Sequence, residues 1–412
     1  MNIICQRDIL DEAVSPAMYA VSTKNTAQAL DGFLITAVKE TGILTICSYD
    51  LEKGIKVTLS GENVQIKESG KIIINAAKFS SIIRNLPDGD VVISSDANFS
   101  VNISTNRSEF TVHGIDGETF PLMPELKGDR SFKISRKILK NMIVSTLFAV
   151  AVNNSRPSLN GALFEIKNNS LNIVAVDGNR LALRRSFDGI ISGENQGLDF
   201  NFIVPGKSLS ELLKLIGDED EPVDIELTRK HVIISLDNII YFSRLIESEF
   251  LDYRRSIKIE PKTTVVINTK SFIESVERAS LLNDDKQKTL VTLNFKKEEV
   301  NIENNDNFGV LQITSATSLG KVNDECDIEI YDNDLRIGFN NRYLLDSLKA
   351  VREEKIILKL ESATKSLVIL PYNNKDDEDK KDNNNNDVDI SKTMDTENSK
   401  FLYLVLPVRM RD

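Results

Sequence analysis

Tryptophan is absent from the 412 residues, histidine occurs twice and cysteine three times. Each shortage removes a class of function. Neither His113 nor His231 has a cysteine, histidine or carboxylate at metal-ligand spacing, so no metal site is expected. Cys5, Cys47 and Cys326 lie far apart without a CxxC pair, which reads as reduced thiols in a cytoplasmic protein rather than a disulfide framework. No apolar run reaches the roughly 18 residues that a membrane span needs, and the opening MNIICQRDIL lacks the basic-then-apolar pattern of a secretory leader. There is no GxxxxGKS/T, no GxGxxG opening a helix and no GxSxG elbow. The turn Asp177-Gly178-Asn179-Arg180 could pass for a hydrolase loop, but nothing near it in the sequence supplies a base or a nucleophile. The expectation is a binding protein without catalytic residues, metal or cofactor.

What the chain has instead is repetition at domain length. Gly32-Phe33-Leu34-Ile35, followed by Leu44-Thr45-Ile46-Cys47-Ser48-Tyr49-Asp50, returns as Gly161-Ala162-Leu163-Phe164 with Leu171-Asn172-Ile173-Val174-Ala175-Val176-Asp177. A weaker third copy runs Val291-Thr292-Leu293-Asn294 with Val300-Asn301-Ile302-Glu303-Asn304-Asn305-Asp306, placing the closing aspartates 127 and 129 residues apart. A second element recurs at Lys78-Phe79-Ser80-Ser81, Lys207-Ser208-Leu209-Ser210 and Arg342-Tyr343-Leu344-Leu345. Solenoid repeats run to roughly 20–50 residues, so this period points to one fold used three times. The joins fall near Lys127-Gly128-Asp129 and near 256–261, giving domains 1–127, 128–256 and 257–412.

Each third opens with a helix, over 8–22, 135–152 and 270–283, whose apolar residues follow helical steps (Ile9, Ala13, Ala17; Leu139, Met142, Ile143; Phe272, Ile273, Val276). Shorter helices are expected over 76–86, 206–216 and 341–351. Between them lie β-branched runs bounded by turn residues, such as Lys71-Ile72-Ile73-Ile74 and Val232-Ile233-Ile234. Strands outnumber helices, so the class is α+β with antiparallel sheets. Segment 373–399 breaks the pattern with seven Asn, nine acids and four Lys, and is expected to be a disordered acidic insertion.

The formal charge of −11 argues at first against nucleic acid. The charge is unevenly distributed, however. The windows 6–24, 76–86, 135–152, 206–216, 270–284 and 341–352 carry −1, +2, +3, +1, −1 and +2, a surplus of six positive charges in the helices.

Several motifs in order resemble the bacterial DNA polymerase III beta subunit, the sliding clamp family. They are Phe120-Pro121-x-x-Pro124, Arg156-Pro157-x-Leu159-Asn160-Gly161 and Val174-Ala175-x-Asp177-Gly178-x-Arg180-Leu181-Ala182. Asp252-Tyr253-Arg254-Arg255 and the terminal Tyr403-Leu404-Val405-Leu406-Pro407-Val408-Arg409 complete the set. The resemblance covers the chain except 373–399. It implies three clamp-type domains forming half of a six-domain ring, closed as a head-to-tail homodimer around duplex DNA held topologically and without sequence preference. The implied partners are the replicative polymerase catalytic subunit, the clamp loader and other proteins carrying a clamp-binding motif; no membrane is involved.

Residue by residue, the resemblance implies a partner-peptide pocket at Leu159, Val176, Gly178, Asn179, Leu181, Leu251, Arg255, Tyr343, Leu404, Leu406, Pro407, Val408 and Arg409. It implies DNA-facing cations at Lys24, Arg84, Arg136 and Lys207, and a dimer seam at Phe110, Val112, Leu281 and Leu282. Three departures stand out: Thr26-Ala27-Gln28-Ala29-Leu30 replaces the family's Thr-x-Pro-Ile-Leu, Leu251 replaces the Pro before Asp-Tyr-Arg-Arg, and the acidic insertion just before the terminal strand is expected to screen the pocket mouth. The alternative from another class is a three-domain β-rich interaction scaffold that does not bind DNA; it leaves the helix charges and the terminal motif unexplained.

Overall fold

The computed structural model describes residues 1–22, 27–124, 127–167, 169–187, 189–193, 199–282, 290–298, 307–372, 396 and 399–410. Lys24, all of 373–399 but Thr396 and Ser399, and the expected repeat strand at 300–306 lie outside them. Among the described residues are six α-helices: α1 Arg7–Ala17, α2 Ala76–Asn85, α3 Arg136–Leu147, α4 Gly206–Leu215, α5 Thr269–Ser280 and α6 Asn341–Lys349. Three start on an asparagine whose side chain accepts a backbone N–H of the first turn: Asn75 from Lys78 at 3.0 Å, Asn268 from Ser271 at 3.0 Å and Asn340 from Tyr343 at 3.3 Å. The expected helix over 8–22 is shorter as an α-helix. Pro16 lacks the N–H that would continue the ladder, and the chain tightens into a 3-10 turn at Met18–Ala20. Among the described residues, no helix is long and apolar enough to cross a membrane.

Two compact units divide the chain, the boundary falling inside α3 and at the start of α4. Met1–Lys140, Ile190–Gln196 and Lys207–Ile246 form the first. It holds a five-stranded antiparallel sheet ending in the edge strand Glu109–His113, and a ten-stranded sheet in which Ile239–Arg244 lies against Lys53–Leu59. Beside that pairing, Leu34, Cys47, Tyr49, Ile73, Phe120, Ile233 and Phe242 make one buried cluster, which is where the first Phe-Pro motif goes. The second unit, Asn141–Gly189, Gly197–Gly206 and Glu247–Asp412, holds a twelve-stranded sheet in which Phe401–Val405 lies against Arg180–Ser186.

Strand register fixes which residues of the thirds are equivalent. Asn75, Pro205 and Asn340, each just before a helix, pair with Gly32, Gly161 and Leu290. Three residues on, Ile35, Phe164 and Leu293 pair with Ile46, Ile173 and Ile313. Those in turn pair with Val57, Arg184 and Asp324. Counting back along the strand, Lys53, Arg180 and Gly320 are equivalent, and so are Asp50, Asp177 and Thr317. This corrects the third copy read from sequence: the counterpart of Asp50 and Asp177 is Thr317, not Asp306. The third copy's second strand is Phe308–Thr317, so the intervening residues displace the motif.

The equivalent turns share one device. Asp50 Oδ1 accepts the N–H of Glu52 and Lys53 at 3.0 and 2.8 Å, and Asp177 Oδ1 accepts those of Asn179 and Arg180 at 2.8 and 3.0 Å. Each turn then buries a cation against a carboxylate on a helix belonging to the next third. Lys53 Nζ lies 2.6 Å from Glu211 on α4 and 3.2 Å from Asp50. Arg180 reaches Asp346 on α6 at 2.6 Å and Asp177 at 3.0 Å. A buried charge stripped of its partner is far more costly than the pair is favourable. Lys53→Met should therefore leave Asp50 and Glu211 uncompensated and destabilise the first unit by about 3 kcal/mol, read as a lower urea midpoint, whereas Lys53→Arg should hold the midpoint closer to that of the parent chain.

Candidate partner groove

A groove of about 370 Å3 opens in the second unit, lined by Val176, Gly178, Arg180, Leu181, Leu251, Arg255, Ser256, Lys258, Ile259, Glu361, Thr364, Lys365, Ser366, Leu404 and Leu406. Its apolar wall is a product of strand register: Leu181 and Leu404 are direct cross-strand partners. Strand Leu367–Pro371 flanks Phe401–Val405 on the far side, and the turn leading into it brings Glu361 to Ser366 to the rim. Gly178 has a φ of +94°, the left-handed region that lets this turn close tightly between its two strands.

Polar anchors hold the remaining walls. Tyr253 is buried in a 3-10 turn, and its hydroxyl donates to Glu165 Oε2 at 2.5 Å. Burial, then that carboxylate, push the Tyr253 phenol well above its ordinary value, so it stays a donor. Arg254 grips the same Glu165 at 3.0 and 3.1 Å. Two of the four residues in Asp252-Tyr253-Arg254-Arg255 thus anchor the loop, leaving Arg255 exposed at the groove and paired with Asp252 at 2.9 Å. Arg180 is fixed from several sides: Asp177, Asp346, the Phe148 carbonyl at 2.5 Å, and the Tyr343 ring with its centroid at 4.8 Å. Lys258 and Lys365 are exposed on the rim with Arg255, and Glu361 lines the same groove.

Of the thirteen residues expected here, Val176, Gly178, Leu181, Leu251, Arg255, Leu404 and Leu406 line the groove. Asn179 and Tyr343 do not line it but bond to each other at 3.4 Å. Leu159 is buried in its own 3-10 turn. The terminal strand ends at Val405; beyond it Leu406 N–H donates to the Asn179 carbonyl, Pro407 bridges to Phe339 and Val408 N–H donates to the Gly338 carbonyl, with Val408 and Arg409 exposed. Arg180, Ser256, Lys258, Ile259, Glu361, Thr364, Lys365 and Ser366 were not expected. The stretch holding Ser256 to Ile259 reads as a domain join, and the turn at 361–366 carries no motif.

The other expected sites divide similarly. Arg84 and Lys207 are exposed on helices. Arg136 is not: its guanidinium is buried within 3.2 to 3.8 Å of Asp237, Glu219 and Glu221. Its neighbour Lys137 is the exposed cation of α3. Phe110 and Leu281 are exposed, Val112 and Leu282 half-buried. His231 packs edge-on against Phe242, with burial lowering its pKa. Among the described residues no three His, Cys, Asp or Glu side chains converge to hold a metal.

Models of the DNA polymerase III beta subunit match in series: its N-terminal domain over residues 1–124, its central domain over 133–252 and its C-terminal domain over 254–381. A beta sliding clamp of Halalkalibacterium halodurans is 32% identical over 377 residues, covering 90% of this chain and 96% of that protein. The chain belongs to the DNA polymerase III beta subunit family, the bacterial sliding clamps. A Bacillus subtilis beta sliding clamp is 31% identical over 91% of this chain and 97% of its own. The crystal structure of the DNA polymerase sliding clamp from Bacillus subtilis superposes with a TM-score of 0.86 at 29% identity, over 100% of both chains. A putative DNA polymerase III beta subunit from Eubacterium rectale gives 0.84 at 30% identity over 99% of both. Membership favours a DNA sliding clamp over the scaffold reading. For the groove itself, Tyr253→Phe should cost about 1–2 kcal/mol, seen as a lower urea midpoint, because Glu165 loses a buried donor.

Proposed function

We propose that this sliding clamp closes as two copies around duplex DNA and tethers its partners through the groove, acting as a processivity factor rather than an enzyme. Residues 1–127, 128–256 and 257–412 are then its three domains, six to the ring. The observation that carries the DNA contact is the second residue of four of the six helices: Lys137, Lys207, Lys270 and Arg342, all exposed. A cation at a helix N-terminus opposes the helix dipole, so the dipole does not account for these residues. Arg84, in the last turn of α2, is favoured by the dipole and needs no such explanation. On a chain of net charge −11, cations repeated at equivalent helix starts suit weak, sequence-independent attraction to phosphates, as a ring that slides requires.

The groove suits a short linear segment. Its wall of Val176, Leu181, Leu251, Leu404 and Leu406 takes aliphatic or aromatic side chains, and Arg255, Lys258 and Lys365 favour an acidic flank. Partners of this kind are the replicative polymerase, the clamp loader and other DNA-processing proteins, in the cytoplasm. Loaded onto nicked circular DNA by a clamp loader, the protein should stay bound through gel filtration and be released when the circle is cut. Equal loss from circular and linear DNA would refute encirclement. Lys137→Glu with Lys207→Glu should shorten retention on circles. Leu406→Asp sets a carboxylate at the groove mouth. It should lower affinity for a clamp-binding peptide at least tenfold while dimer and DNA retention persist.

A further inference from the structure

The groove divides by chemistry into two halves. Leu181 and Leu404, paired across adjoining strands, form the apolar half with Val176 and Leu251. The other half comes from two loops that no motif announces, 255–259 and 361–366. Arg255, Lys258 and Lys365 are exposed there, beside the hydroxyls of Ser256 and Thr364. Arg180 also lines the groove, but its charge is already matched by Asp177 and Asp346. Arg255 pairs with Asp252. Among the described residues, Lys258 and Lys365 are engaged in no ion pair. Like charges gathered in one groove repel one another, and on a chain of net charge −11 a local excess of cations calls for a counter-charge brought by a ligand.

Both loops hold these cations on fixed supports. The first turns about Tyr253, whose carbonyl accepts the N–H of Ser256 at 2.9 Å and of Ile257 at 3.3 Å. Ile257 is buried, so Arg255 and Lys258 stand outward on either side of it. The side chains of Tyr253 and Arg254 both end on Glu165, a half-buried carboxylate in the strand Gly161–Lys167. One carboxylate that does not line the groove thus positions the loop bearing two of the three cations. In the second loop, Lys365 N–H donates to the Ser362 carbonyl at 3.2 Å, and the chain then enters the buried strand Leu367–Pro371.

We propose that Arg255, Lys258 and Lys365 form a subsite for carboxylate side chains, taking the Asp or Glu residues beside the apolar anchor of a partner peptide, with Glu165 as its positioning residue. This rests on the docking reading of the groove and gives its halves separate tasks. The apolar half holds any segment with a suitable anchor, and the cationic half ranks such segments against one another. An exposed ion pair contributes little alone, so the subsite sets preference between partners rather than the bulk of the affinity. The acidic segment 373–399 of the chain itself joins this hairpin at its other end, between Pro371 and Phe401, away from the turn that carries Lys365.

Two fluorescent peptides with one aliphatic-aromatic anchor, flanked by Glu in the first and by Gln in the second, test this on the full chain by anisotropy. The parent should bind the Glu-flanked peptide about fivefold more tightly at low salt, and the ratio should shrink with added salt as exposed charges are screened. Lys258→Gln with Lys365→Gln should bring the ratio close to one. Glu165→Gln should lower it about twofold or more, whereas a purely structural role for Glu165 would weaken both peptides alike and leave the ratio intact. Equal binding of the two peptides by the parent, or a ratio that survives the lysine exchange, overturns the subsite while the docking groove stands. A preference that emerges only after deletion of 373–399 assigns the subsite to the chain's own acidic segment and overturns the partner assignment. Failure of both peptides to bind the parent overturns the docking reading itself.

Discussion

The last strand of one third lying along the third strand of the third before it is the constraint on which the rest of this protein depends. Ile239–Arg244 lies on Lys53–Leu59, and Phe401–Val405 on Arg180–Ser186. Each pairing buries an aromatic at the same place, Tyr241 or Tyr403, and sets a turn cation within reach of a helix carboxylate from the next third. Backbone hydrogen bonds carry register, the aromatics carry buried area and the ion pairs make any other register costly. This also explains why the three-fold sequence repeat becomes two compact units: the junctions are continuous sheet, so the middle third is shared between them.

The groove is a by-product of the same constraint. Its wall exists because Leu181 and Leu404 fall opposite each other, and the turn at 361–366 is delivered by the strand that flanks the terminal one. The loop carrying Arg255 is locked from beneath by Tyr253 and Arg254 on Glu165, so the exposed guanidinium sits on a rigid base. The equivalent turn in the first third, Asp50 to Lys53, is built alike but has no Gly178 and no exposed arginine loop. Shared residues build the junction and unshared ones build the groove.

Much of this was legible in the sequence where the signal is local. Helix positions followed from apolar periodicity, while the asparagine caps at 75, 268 and 340 went unread until the structure showed them. The likeness of the first two thirds followed from matching strand-turn-strand runs. The third misaligned because Thr317 supports its turn through its hydroxyl, donating no aspartate to the pattern, and because extra residues separate its first two strands. Arg136 looked like a surface cation since nothing in its neighbourhood announces Glu219 and Asp237, which arrive through the pairing of Arg130–Ser135 with Pro222–Leu227. The ion pairs of Lys53 and Arg180 were invisible for the same reason. Half of the groove was readable from motifs, and the rim turn was not, because its place depends on contacts across the terminal strand.

The pairing of Leu181 with Leu404 joins residues separated by more than half the chain. On a ribosome, strand Arg180–Ser186 is made long before the strand that will cover it. Until Phe401–Val405 emerges, its apolar edge stays an open template for any other strand. The wall of the groove is thus missing from a half-made chain, and a product truncated ahead of Phe401 leaves that edge open to aggregation. The groove and the last strand of its sheet come into being together.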